Sequence, residues 1–70
     1  MSYEQLNFST YCIGNLSREL GWSQAKTYNT LKQTGVLKDY VIDCYDTAHT
    51  YSKPIIMDDI KSFLRNRNAL

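Results

Sequence analysis

Seventy residues, 43% hydrophobic and 21% charged, are enough for one domain over residues 1–70 and no more. A chain this short buries only about 60% of the surface it exposes when unfolded, so its stability is marginal, and a formal net charge of +1 excludes a global electrostatic pull toward nucleic acid. Two cysteines and one histidine fall short of the four ligands of a structural zinc site, and no apolar run approaches the ~20 residues that span a membrane, so no metal, cofactor or membrane is expected.

Four helices are predicted. Ser2 with Gln5 three residues on forms a capping box, and the first helix runs from there to about Leu20. Leu6, Ile13, Leu16 and Leu20 share its apolar face, flanked by Cys12 and with Ser9 between them. Gly21 ends this helix as a left-handed C-cap residue, and Ser23 caps the next. The second helix ends before Gly35 and faces inward through Ala25, Tyr28 and Leu31. Helix, tight turn, helix over residues 16–31 is the shape of a helix-turn-helix, a unit that either reads DNA or simply packs a small helical domain.

The third helix covers about Leu37 to His49. Its apolar set of Leu37, Tyr40, Val41, Cys44, Tyr45 and Ala48 fills the i, i+3, i+4, i+7, i+8, i+11 template without a gap. Pro54 then forces the chain off helical geometry, and Ile55 to Met57 reads as a short, extended lead-in. The fourth helix begins near Asp58 and ends near Asn66, with Ile60, Phe63 and Leu64 inward and the last three residues frayed. Asp58 and Asp59 at its start, with Arg65 and Arg67 at its end, complement the helix dipole. The expected fold is all-α, four short helices around one core with a helix-turn-helix-like hairpin. Cys12 and Cys44 both fall on apolar faces and are expected to be buried, reduced thiols. Free thiols and the absence of a basic-then-apolar leader point to the cytoplasm.

Two surfaces carry candidate functional residues. With the second helix packed as above, Lys26, Asn29, Thr30 and Gln33 point outward, and Lys32 adds to the charge. No acidic residue occurs from Ser23 to Lys38, as a phosphate-facing surface requires. Against DNA reading, that face has no arginine, the commonest specific base contact, and Trp22 occupies a turn where a small aliphatic is usual. On the third helix, Asp39, Asp43 and Asp46 form an acidic stripe, for which a solvated face is the first reading; as a functional surface it would repel DNA and suit a basic partner. The contrast between basic second and acidic third helix is also compatible with a homodimer.

Six tyrosines, two phenylalanines and one tryptophan are many for this length. Tyr3, Tyr11, Trp22 and Tyr51 do not all fit the apolar faces, and exposed aromatics of this kind are enriched in protein-binding surfaces. Trp22 and Tyr51, with the three aspartates, are therefore the protein-binding candidates. Asp46 and His49 lie one turn apart, a pairing that can tune a general base. So small a chain leaves little room for a pocket, and His49 is better placed to meet free carbonyls at the helix C-terminus. No enzymatic role is expected.

From Tyr11 to Leu64 the chain resembles an uncharacterised family of small bacterial helical proteins. The resemblance is carried by Tyr11-Cys12-Ile13, Leu31 with Thr34-Gly35, Cys44-Tyr45-Asp46, His49-Thr50 and Asp58-Asp59-Ile60. Ala48 departs from the leucine usual before the histidine, a change that touches packing more than chemistry. Genes of that family often lie beside genes for ADP-ribosyltransferase-like proteins, an arrangement of toxin and neutralising partner. The resemblance therefore implies, by association, an antitoxin-like protein that binds and restrains a partner, such as the neighbouring gene product. The alternative is a helix-turn-helix DNA-binding regulator with the second helix as its recognition helix.

Overall fold

Ser2 opens the first helix as the spacing requires. Its Oγ accepts from the Gln5 N–H at 3.1 Å while Gln5 Oε1 accepts from the Ser2 N–H at 2.9 Å. The computed structural model describes residues 1–70. It contains α1 (Tyr3–Leu20), α2 (Gln24–Thr34), a π-helical segment (Leu37–Ile42), the single turn α3 (Tyr45–Ala48) and α4 (Lys53–Asn66), with no strand. No helix is long and apolar enough to cross a membrane.

Gly21 and Gly35 close α1 and α2 in the left-handed region, at φ 68° and 82°. A side chain there clashes with the backbone whatever the surrounding space. Nothing lies within 4 Å of a Cβ built on Gly21, so Gly21→Ala isolates that conformational cost. It is expected to lose about 1 kcal/mol, or about 4–8 °C in a thermal melt. An unchanged Tm would mean that the turn relaxes out of this conformation.

Twelve buried hydrophobic residues form one cluster, to which α1 gives Phe8, Cys12 and Leu16, and α4 gives Ile56, Met57, Ile60 and Leu64. The face of α1 is rotated from the expected one: Leu6 is half exposed, whereas Phe8 and Ser9 are buried. The same holds for α2. Thr27 and Leu31 face the core, while Ala25 and Tyr28 are exposed. The reason is common to both helices. Ser9, Ser17 and Thr27 each donate their hydroxyl to a carbonyl one turn back, at 2.8, 2.9 and 2.9 Å. A hydroxyl satisfied on its own helix can be buried almost as an alkyl group. Counting only apolar residues therefore put the seam one position away.

The expected third helix is not continuous. The Asp43 N–H reaches the carbonyl of Lys38, five residues back, at 2.9 Å. The wide turn spans Leu37–Ile42, and the chain leaves helical geometry again at Cys44, at φ −99° and ψ 14°, before α3 begins. Tyr40 and Val41 are buried within the wide turn, and Ala48 is buried beyond it. Cys44, predicted to be buried, swings to the surface, where its thiol donates to the Asp39 carbonyl at 3.3 Å. Cys12 is fully buried, which pushes its thiol up to about 12. A thiol reagent at neutral pH is thus expected to modify one cysteine rapidly, Cys44, and the second only on unfolding. Rapid modification of both would place Cys12 wrongly.

Pro54 does not break the last helix but starts it. It occupies the first turn, where its missing N–H has no partner to lose. Ile55 to Met57, expected to be extended, are helical from that turn onward, with Ile56 and Met57 buried. Asp58 and Asp59 consequently lie beyond the positive end of the dipole. Asp59 instead accepts from the Tyr40 hydroxyl at 2.8 Å. The residues after α4 do not fray either: Asn68, at φ 58°, lets the Ala69 N–H bond to the Leu64 carbonyl at 2.9 Å, and Ala69 packs against the core.

Candidate functional site

One face of α1 presents Glu4, Asn7, Phe8 and Tyr11, the i, i+3, i+4, i+7 set that a helix places in a row. Opposite stand Tyr45 of α3, His49 and Tyr51 just after it, and Ile56 of α4. Between them lies an open groove of about 440 Å³. That size is within the range of small-ligand sites.

The aromatic rings are ordered against one another. Phe8 lies parallel to Tyr11, with centroids 6.3 Å apart, and meets Tyr45 edge to face at 5.6 Å. Tyr45 and His49 stack at 4.4 Å with 6° between their planes. The His49 N–H and ring Nδ1 converge on the Tyr45 carbonyl, at 3.0 and 2.6 Å. A carbonyl can only accept, so Nδ1 carries the proton and Nε2 is left as the acceptor of the neutral ring. His49 therefore closes the helix C-terminus, as its position suggested, and its Nδ1 bonds to Tyr45 rather than to Asp46. The next turn is fixed by the Thr50 hydroxyl, which donates to the Thr47 carbonyl at 2.6 Å, and by the Tyr51 N–H on the Ala48 carbonyl at 3.0 Å.

Tyr51 is shared with a second depression of about 430 Å³, lined also by Tyr40, Cys44, Asp59 and Phe63. Tyr40 is held firmly neutral, first by burial and then by its hydrogen bond to Asp59.

The sequence candidates are dispersed. Tyr51 is in the groove; Trp22 lines neither hollow and sits in the α1–α2 turn with Lys26 Nζ 4.5 Å from its ring centroid. The acidic stripe is largely paired: Asp39 with Arg67 and Asp43 with Lys38, both at 2.8 Å, leaving Asp46 exposed without an ion pair. On α2, Lys26, Asn29, Lys32 and Gln33 are exposed and Thr30 is half-buried. Lys32 Nζ lies 5.9 Å from the Tyr28 ring centroid, so both lysines cover aromatic rings of their own chain.

Sequence reasoning does not single out Glu4 or Asn7, and it assigns Tyr45 to the core. The signal was present as helical spacing from Glu4 to Tyr11, but it mixes charged, polar and aromatic residues and escapes a search for apolar periodicity.

Residues 7–67 match the family described as Protein of unknown function (DUF3791). No curated protein and no solved structure matches the chain.

Proposed function

We propose that this chain, which belongs to the DUF3791 family, is a small protein-interaction module, antitoxin-like in that it binds and restrains a partner protein. The observation that carries this reading is the open aromatic groove between α1, α3 and α4, with Tyr11 and Tyr51 at 40% and 41% exposure. Rigid rings bring a large contact area at a small entropic cost, which is why tyrosine anchors so many protein interfaces. A small domain also gains stability from a partner that binds only its folded form. The module is read as cytoplasmic and non-enzymatic; the exposed Cys44 thiol suits a reducing compartment.

The test is co-expression with the product of the adjacent gene, followed by size-exclusion chromatography. A stable complex of the two chains is expected, and separate elution at micromolar concentration counts against the reading.

A second reading, a DNA-binding regulator, draws on one observation. The exposed face of α2 is free of acid and carries Lys26, Asn29, Lys32 and Gln33. It requires duplex binding that falls steeply with salt through counterion release. The interaction reading is preferred because both lysines lie over aromatic rings and no arginine faces outward there.

A further inference from the structure

We infer that the groove receives a cationic side chain of the partner protein, an arginine, held between the tyrosine rings and Glu4. This rests on the interaction reading and adds the chemistry of the partner. The groove is electrostatically one-sided: Glu4 is the only carboxylate lining it, and no lysine or arginine lines it. The ion pairs of this chain are Lys38–Asp43, Lys61–Glu19 and Arg67–Asp39, so Glu4 has no cation of its own.

The polarity of what remains points the same way. With the Nδ1 proton committed to the Tyr45 carbonyl, the His49 ring offers only the Nε2 lone pair. The tyrosine rings present negative π faces. An acidic side chain would be repelled by Glu4, and an apolar one would take water from that carboxylate without replacing it. A guanidinium suits each of these groups. It is planar and stacks on aromatic faces, its five N–H donors match carboxylate and imidazole acceptors, and it gives up water more readily than an ammonium.

The test is an NMR titration of the ¹⁵N-labelled full chain with three capped tripeptides, Gly-X-Gly, where X is arginine, citrulline or norleucine. Citrulline keeps the shape of arginine without its charge, and norleucine is apolar. The arginine peptide is expected to shift the amides of Tyr11, His49 and Tyr51 saturably. Cation–π contact is worth about threefold to thirtyfold in affinity, so the citrulline peptide should bind about tenfold more weakly. Glu4→Gln, an exposed substitution in the first turn of α1, should weaken the arginine peptide severalfold and the citrulline peptide distinctly less. Equal binding of arginine and citrulline, arginine shifts confined to other surfaces, or no binding of the arginine peptide would overturn the inference. If norleucine alone bound in the groove, the cation would be wrong and the groove would remain an interaction site. Partner binding indifferent to the groove would count against the underlying reading as well.

Discussion

Val41→Asp is expected to unfold the protein at 25 °C, whereas Cys44→Asp, three residues on, should leave it folded. Val41 is fully buried in the hydrophobic cluster beside Tyr40, so an aspartate there would be surrounded by apolar side chains. An unpaired buried charge costs several kcal/mol. At about 0.05–0.15 kcal/mol per residue, a domain of this size has only about 3–10 kcal/mol to lose. Cys44 is exposed, and surface substitutions usually stay within about 0.5 kcal/mol. In an uninterrupted helix both positions would lie on the buried face and both changes would be severe. Far-UV circular dichroism of the two variants therefore reads the register of the π-helical insertion. Loss of helix in both would restore the continuous helix; retention in both would mean that Val41 does not face the core.

Tyr51→Ala is expected to weaken partner binding by about 2 kcal/mol or more, roughly thirtyfold, as truncating a central aromatic anchor does. Tyr51 lines both hollows, so its truncation removes an aromatic contact from each. At 41% exposure the ring contributes much less to folding than Val41 does, and the variant should keep a cooperative melt. Trp22→Ala is the control. Trp22 lines neither hollow, and its removal should change binding little. Binding measured by titration calorimetry separates these outcomes, and a larger loss at Trp22 than at Tyr51 would move the interface to the α1–α2 turn.

The helix termini were the most legible part of the sequence. Ser2, Gly21, Ser23 and Gly35 act through local geometry, and each is found in its expected role. The helix faces were less legible, because Ser9, Ser17 and Thr27 satisfy their hydroxyls within their own helices and take core positions. The π-helical turn was not legible at all. The apolar template from Leu37 to Ala48 is complete, and nothing local marks the wide turn or the break at Cys44 that leaves its thiol exposed. Pro54 was legible in kind but ambiguous in place, since proline ends one helix and begins another equally well. Of the candidate site, Tyr51 could be found because it stands outside any apolar face. Glu4, Asn7 and Tyr45 could not, because the groove depends on how α1 and α3 pack.

The most direct measurement is a parallel titration of the adjacent gene product, and of duplex DNA at two salt concentrations, into the wild-type chain, Tyr51→Ala and the double variant Lys26→Ala/Lys32→Ala. The account predicts tight binding of the protein partner, lost by roughly thirtyfold in Tyr51→Ala and kept in the double lysine variant, with weak and non-specific binding of DNA throughout. Tight, sequence-specific duplex binding that survives Tyr51→Ala and disappears with the two lysines would contradict it and make α2, not the aromatic groove, the working surface of this protein.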